Sequence, residues 1–300
     1  MAHYFSSDNV KLHYRDIGNG PTIIFLHGFG MHSGHWLPYA YPLSRKYRVI
    51  IPDLRGFGRS HHAHFKQDCA VSNYADDVAE LISELNVSSF KLIGISMGAL
   101  TSISYIDKYK PAGLERYLHI DQSPCCVNKS DWRWGLFGHE HDDRMQRAKQ
   151  LLDELEPYLE QGFEYRDLPN NLRQQIQTEL SEFFASAMSW PSFKQLSRLL
   201  LSKEWILRQL LSVKNWGAYM HCLRAYIDQG YDFRQAIENC ETPIDILVGM
   251  KSDMYPATGQ LRMADLNERC SVLPFTKSGH TPLIDQPFKL TRELHRFATA

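Results

Sequence analysis

The sequence predicts an α/β protein with a mostly parallel, twisted sheet, helices on both faces and an inserted all-helical segment. Three observations support this prediction. Short apolar, β-rich runs alternate with helical patterns over roughly the first 120 residues, which is typical of parallel strands joined by crossover helices. From about residue 131 to 235 only helical patterns occur. The strand pattern then resumes, so the helical block is predicted to be an insertion into one sheet.

The predicted strands begin with an antiparallel pair, "HYF" and "VKLHYRD". The later strands are nearly continuous in apolar residues, as expected of strands that are covered on both faces. They are "TIIFL" (22–26), "YRVIIP" (47–52), "FKLIGI" (90–95), "RYLHID" (116–121), "TPIDILVGM" (242–250) and "RCSVLPF" (269–275).

Helical segments connect these strands. "VSNYADDVAELISELN" has the apolar period of a helix, with Ser72 as its predicted cap. "MGALTSISYIDKYKP" is a second helix, which Pro111 is expected to end because proline lacks the backbone N–H. A third, "PFKLTRELHRFATA", is predicted to close the chain.

The interruption of the strand pattern predicts two structural units. Residues 1–123 and 240–300 form the α/β core, and residues 124–239 form a helical cap, or lid, inserted between two strands. Open α/β sheets bind their ligands at the carboxyl ends of the strands. We therefore expect the cap to cover that edge and to determine the size of the substrate.

Composition limits the possible partners and location. Among 300 residues the formal net charge is −1, and no basic tail or stripe occurs, so neither nucleic acid nor an anionic membrane is expected as a partner. No secretory signal and no run long enough for a membrane span are visible. The six cysteines form no C-x-x-C pair and are expected to be reduced, so a cytoplasmic location is predicted. Oligomeric state is left open.

Ser96 lies between two glycines in "LIGISMGAL", after a predicted strand and before a predicted helix. An N-capping serine is one interpretation. However, Gly94, Ser96 and Gly98 have the G-x-S-x-G spacing of a nucleophile elbow, in which glycines let the strand and helix approach closely around a strained serine. In the context of strand, turn and helix, this spacing predicts that Ser96 is a catalytic nucleophile.

A serine nucleophile needs donors for the oxyanion and a base. The turn "HGFG" follows a predicted strand, and its Phe29 N–H is expected to form a two-donor oxyanion hole with the N–H of Met97. His27 in this turn is interpreted as structural. The predicted base is His280, which follows the last strand, in the chain order that this arrangement requires.

Other histidines lie in "SHHAH" (60–64) and "GHEHDD" (138–143). Neither tract follows a strand or has a second ligand group at a recognisable spacing, so both are interpreted as solvated loops. No metal and no cofactor is predicted.

Four motifs in this order, "HGFG", "DLRGFGRS", "GISMGA" and "SGHTPLIDQP", resemble those of the α/β-hydrolase superfamily over residues 10–122 and 242–298. The resemblance implies a hydrolase with a Ser–His–acid triad. It also implies that the segment Asp53, Arg55 and Gly56 mainly supports the loops of the site.

The acid departs from the family pattern, which usually places Asp in Gly-x-x-Asp after the strand that precedes the last one. Here "GMKSDMYP" has Ser252 at that position and Asp253 one residue later. Asp121, at the end of the predicted strand "RYLHID", is the alternative, and certain lipases and haloalkane dehalogenases in this superfamily carry their acid there. Both carboxylates remain candidates, with Asp121 preferred because a buried strand would hold it rigidly.

The predicted function is a serine hydrolase that cleaves a carboxylic ester, or a related small apolar acyl substrate, through an acyl-enzyme. A lactonase, a carbon–carbon bond hydrolase and a cofactor-free perhydrolase are alternatives on the same triad. A ligand receptor without enzymatic activity on a hydrolase scaffold is a further alternative, because fold alone does not determine function.

Overall fold

One sheet of eight strands organises the part of the chain that the computed structural model describes, residues 2–65, 69–203, 205–206 and 216–300. The order across the sheet is β1-β2-β4-β3-β5-β6-β7-β8. The strands are β1 (Ala2–Phe5), β2 (Lys11–Ile17), β3 (Thr22–Leu26), β4 (Arg48–Pro52), β5 (Phe90–Ile95), β6 (Leu114–Ile120), β7 (Ile244–Gly249) and β8 (Cys270–Phe275).

Strand direction agrees with the predicted fold class. The β1 and β2 strands form the expected antiparallel hairpin, in which Ala2 pairs with Tyr14, and β2 is also antiparallel to β4. Every pairing from β4 through β8 is parallel. The prediction of a mostly parallel sheet with helices is therefore confirmed.

Helices follow most of the strands and fill the interval between β6 and β7. They are α1 (Leu37–Leu43), α2 (Ala70–Glu84), α3 (Met97–Tyr109), α4 (His141–Glu160), α5 (Asn170–Ser186), α6 (Pro191–Leu201), α7 (Trp216–Gln229), α8 (Arg234–Glu238), α9 (Ala257–Leu261), α10 (Met263–Leu266), α11 (Pro282–Asp285) and α12 (Pro287–Thr299).

The β3 strand explains why the sheet is covered on both faces. Successive side chains of a strand point to opposite faces. Ile24 and Leu26 pack into one hydrophobic cluster, with side chains from α2 and α3, whereas Ile23 and Phe25 pack into a second cluster, with side chains from α1 and α12. All four are buried, so the continuous apolar run in the sequence reflects helices on both faces.

The α3 helix ends at Tyr109, with the left-handed cap Lys110 directly before Pro111, which agrees with the prediction that Pro111 ends it. Two other local predictions were inaccurate. The α2 helix begins at Ala70, before the predicted cap Ser72, because Ala70 and Val71 already pack into the core. His141 was assigned to a solvated loop, but it is buried at the start of α4, where its Nδ1 lies 2.8 Å from the Leu136 carbonyl oxygen.

The helical segment between β6 and β7 contacts loops at the carboxyl ends of the strands. Phe29, in the loop after β3, packs edge-on against Phe183 of α5 and Tyr219 of α7. Thr281, after β8, donates to the Ala187 carbonyl oxygen at 3.1 Å. Residues 204 and 207–215 of the predicted cap lie outside the described residues. The boundaries 124–239 and the role of a lid remain predictions.

Candidate active site

Ser96 occupies a strained turn between β5 and α3. Its φ of 54° and ψ of −124° lie in a region of backbone conformation that residues other than glycine rarely adopt. A Cβ atom on Gly98 would lie 2.6 Å from the backbone oxygens of Leu26 and His27, and one on Gly94 would lie 2.5 Å from the Gly98 oxygen. Both glycines are therefore required for the close approach of strand and helix, and the turn exposes the Ser96 side chain in part.

The loop after β3 lies directly against this turn. A Cβ on Gly28 would be 3.2 Å from the Ser96 Cβ. Among the hydrogen bonds of the described residues, none uses the backbone N–H of Phe29 or of Met97. Two N–H groups next to one serine are the donor set that an oxyanion hole needs. Their catalytic use remains a prediction.

His27 holds the same loop from inside the core. Its Nε2 accepts a hydrogen bond from the Leu54 N–H at 3.0 Å, which leaves the proton on Nδ1, 2.8 Å from the Gly28 oxygen. Burial lowers the pKa of His27 to about 4, so the ring is neutral near pH 7. A neutral ring with both nitrogens engaged has a structural role, as its position in the sequence indicated.

Asp121 and His280, which are 159 residues apart in the sequence, form a buried pair. The distance from His280 Nδ1 to Asp121 Oδ2 is 2.8 Å. Asp121 directly follows β6, has a φ of 42° and donates its own N–H to the Leu247 oxygen of β7. A carboxylate at Nδ1 fixes the tautomer that leaves Nε2 as the proton acceptor. Among the described residues, no hydrogen bond joins Ser96 to His280.

The Asp121 carboxylate has three further donors, which sequence reasoning did not assign. Oδ1 accepts from the Gly249 N–H at 2.7 Å and from Gln260 Nε2 at 3.0 Å. Oδ2 accepts from Ser252 Oγ at 2.7 Å, in addition to His280. Four donors fix a carboxylate more firmly than one, and each hydrogen bond to a charged group is stronger than one between neutral groups.

Asp253, the other candidate acid, is not placed beside His280. Its side chain is 56% exposed and forms an ion pair with Lys194 of α6. The one-residue shift between Ser252 and Asp253 explains the difference, since Ser252 contacts Asp121 while Asp253 points to the surface.

Asp53 and Arg55, in the segment after β4, form hydrogen bonds with neighbouring loops and with α2. The Asp53 carboxylate accepts from the N–H groups of Ser33 at 2.6 Å and of Arg59 at 3.1 Å. The buried Arg55 guanidinium donates to both carboxylate oxygens of Asp77, at 2.9 and 2.6 Å. These hydrogen bonds support the interpretation of Asp53 and Arg55 as structural, which stays a prediction.

Residues 21–287 match the sequence profile of a family described as the alpha/beta hydrolase fold. This chain belongs to that family. The resemblance inferred from the four motifs is confirmed, and so is the class of the enzyme, a hydrolase.

Curated relatives share the family. The AB hydrolase superfamily protein YisY of Bacillus subtilis is 24% identical over 303 residues, covering all of both chains. A pimeloyl-(acyl-carrier protein) methyl ester esterase of Nitrosomonas europaea is 31% identical over 127 residues, which cover 42% of this chain and 47% of that enzyme.

Solved structures share the fold. An esterase from Exiguobacterium antarcticum superposes with a TM-score of 0.80 at 19% identity, covering 100% of this chain and 99% of the other. The enol-lactonase from Burkholderia xenovorans LB400 superposes with a TM-score of 0.71 at 17% identity, covering 100% of both. At these identities the likeness concerns the fold.

The described residues contain no group of three His, Cys, Asp or Glu side chains arranged to hold a metal ion. None of their helices combines the length and apolar character that crossing a bilayer requires.

Proposed function

We propose that this hydrolase cleaves carboxylic esters through an acyl-enzyme on Ser96, with His280 as the base and Asp121 as the acid. The observation that carries the proposal is the buried hydrogen bond of 2.8 Å between His280 Nδ1 and Asp121 Oδ2. It prepares an imidazole whose Nε2 is free to take the proton of a serine hydroxyl.

In the first half-reaction Ser96 Oγ attacks the ester carbonyl carbon while His280 Nε2 takes the hydroxyl proton. The carbonyl oxygen becomes an oxyanion, which accepts hydrogen bonds from the N–H groups of Phe29 and Met97. The tetrahedral intermediate collapses, the bond to the alcohol oxygen breaks, and His280 returns the proton to that oxygen. Asp121 stabilises the transient imidazolium and is not itself protonated.

In the second half-reaction water replaces the alcohol. His280 Nε2 takes a proton from the water, whose oxygen attacks the acyl carbon. The same N–H groups hold the second oxyanion. In its collapse the bond between the acyl carbon and Ser96 Oγ breaks, His280 returns the proton to Ser96 Oγ, and the carboxylic acid is released. All atoms are supplied by the ester and one water molecule, so the scheme needs no cofactor.

Covalent labelling tests the nucleophile directly. A fluorophosphonate probe should label the wild-type protein and peptide mapping should locate the adduct on Ser96. The Ser96→Ala variant should lose both labelling and nitrophenyl acetate hydrolysis, the latter by several orders of magnitude. Ser104→Ala, on the same helix α3, is the matched control and should retain both. Wild-type turnover in Ser96→Ala would refute the proposal.

The related reactions are distinguished by their substrates. A lactone is a cyclic ester and would pass through the same two half-reactions, whereas a diketone would require cleavage of a carbon–carbon bond. Measuring kcat/KM of the wild type for an acyclic ester, a lactone and a diketone therefore ranks these activities. The Ser96→Ala variant shows which of them depend on Ser96.

A further inference from the structure

Two neighbouring cavities lie between Ser96 and the helical segment, and the inner one adjoins Ser96. The inner cavity, of about 40 Å³, is lined by Ser96 and by Tyr255 near His280. The outer cavity has a volume of about 420 Å³. Six residues line both cavities: Phe29, Leu136, Met145, Ala148, Phe183 and Leu223. The outer cavity is therefore the direct continuation of the space beside Ser96.

Hydrocarbon side chains form the walls of the outer cavity. They belong to α4, α5 and α7, which pack together in the helical segment. The wall residues that line only the outer cavity include Leu151, Leu152, Leu155, Ile176, Trp216 and Met220. A pocket of this size with mainly apolar walls favours an apolar group, since burying apolar surface is favourable.

Charged side chains on α4 and α5 also line the outer cavity. Arg144 lies over the Phe137 ring at 4.3 Å and donates to Glu140 at 2.7 Å. Glu182 pairs with Arg198 at 2.8 Å. Arg147 is exposed. Arg144 and Glu182 therefore have partners of opposite charge within the protein and do not require a charged ligand.

The inner cavity restricts the shape of what can pass. By volume it accommodates on the order of three water molecules, each needing roughly 10–15 Å³ by the same measure. So small a space favours an extended chain of methylene groups over a branched or cyclic group next to the ester carbonyl.

We propose that the substrate is an ester with an unbranched aliphatic chain, which runs from Ser96 through the inner cavity into the outer cavity. This inference rests on the proposed function, because it assumes that the ester carbonyl lies at Ser96. The chain belongs to the acyl part or to the alcohol part of the ester, and its chemistry is the same in both cases.

Two ester series test the chain and determine which part carries it. Nitrophenyl esters from acetate through dodecanoate lengthen the acyl part, and alkyl acetates lengthen the alcohol part. In one series kcat/KM should rise with each added methylene by up to about fourfold, the ratio that burial of one methylene provides. Branching next to the carbonyl should lower kcat/KM at least tenfold in the series that responds.

Ala148 and Gln150, both on α4, provide a matched pair of variants. Ala148 lines both cavities, whereas Gln150 is exposed. Ala148→Phe should narrow the boundary between the cavities and lower the octanoate-to-acetate ratio of kcat/KM at least tenfold. Gln150→Phe should leave that ratio unchanged. Met145→Ala shortens a side chain at the same boundary and so widens it. This variant should raise kcat/KM for branched esters relative to unbranched ones, and it replaces Ala148→Phe as the test if that variant does not fold.

The possible outcomes separate this inference from the proposed function. If Ser96 is labelled and acetate is hydrolysed, but neither series rises with chain length, the cavity proposal is overturned and the nucleophile stands. An equal effect of Ala148→Phe and Gln150→Phe on the ratio would also overturn it. Loss of all Ser96-dependent hydrolysis would instead refute the proposed function.

Discussion

Ser252 Oγ donates a hydrogen bond of 2.7 Å to Asp121 Oδ2, the same oxygen that lies 2.8 Å from His280 Nδ1. Ser252 is at the position where the family pattern usually has the acid. A serine there supplies a donor instead of a carboxylate, and the carboxylate comes from the end of β6. Position 121 thus supplies the carboxylate that contacts His280, and position 252 supplies a hydrogen-bond donor to that carboxylate.

The first prediction compares the two candidate acids. Asp121→Asn should lower kcat by on the order of 10⁴, because an amide no longer holds the histidine tautomer that makes Nε2 a base. Asp253→Asn should stay close to wild type, because Asp253 pairs with Lys194 at the surface. Steady-state kinetics of both variants on nitrophenyl acetate would decide. A crippled Asp253→Asn with normal Asp121→Asn would reverse the assignment.

The second prediction concerns Ser252 as a positioning residue. Ser252→Ala removes one donor to a charged carboxylate, an interaction of about 1.5–3 kcal/mol, so kcat should fall roughly ten- to a hundredfold while KM changes little. Ser252→Thr keeps the hydroxyl and should restore most of kcat. If Thr is as impaired as Ala, the loss reflects packing rather than the hydrogen bond.

The third prediction moves the acid. In Asp121→Asn/Ser252→Asp the carboxylate is at the usual family position. Ser252 Oγ already lies 2.7 Å from the Asp121 oxygen that contacts His280 Nδ1. We expect kcat at least tenfold above that of Asp121→Asn alone. The control Asp121→Asn/Met250→Asp adds the same charge at an exposed position two residues away and should give no recovery. Equal activity in both double variants would rule out a specific role for position 252.

Local signals in the sequence were sufficient to predict the strained turn at Ser96. A Cβ atom on Gly94 would clash with α3, and one on Gly98 would clash with the end of β3 and the loop after it. The spacing of these two glycines in the sequence therefore indicates the tight turn at Ser96. The strand pattern predicted the parallel sheet for a similar reason, since continuous apolar runs need two covered faces.

The acid could not be decided in the same way. Asp121 and His280 meet only because β6, β7 and β8 are neighbours in the sheet, which no local pattern specifies. Ser252 was visible as a departure from the family pattern, but nothing in the sequence indicated Gln260. The cavities depend on how α4, α5 and α7 pack against each other, which helical periodicity does not determine.

The fourth prediction tests the close contact at the elbow. Gly98→Ala places a Cβ 2.6 Å from two backbone oxygens, so it should reduce stability by at least about 1–3 kcal/mol and disturb the oxyanion donors. Gly162 has open space around it but a φ of 74°, so Gly162→Ala should cost only the backbone strain of about 1–2 kcal/mol and leave activity unchanged. Denaturant unfolding and kcat measure both. Normal activity in Gly98→Ala would contradict the prediction.

The last prediction is the pH dependence of stability. Burial lowers the pKa of His27 and of His119 to about 4 each, against about 6.5 in the unfolded chain. Between these pH values the unfolded chain binds protons that the folded chain does not. The contribution of the two histidines to the free energy of unfolding therefore has its full value above about pH 6.5 and decreases as the pH falls toward 4.

Each of these histidines should contribute a loss of up to about 3 kcal/mol at pH 4, since one pKa unit corresponds to about 1.4 kcal/mol. Urea unfolding at several values between about pH 7 and pH 5 measures the slope. His27→Asn retains a donor and an acceptor for the Gly28 and Leu54 bonds but does not titrate, so its slope should be shallower by up to one proton. An unchanged slope in that variant would show that His27 is not the group that binds the proton on unfolding.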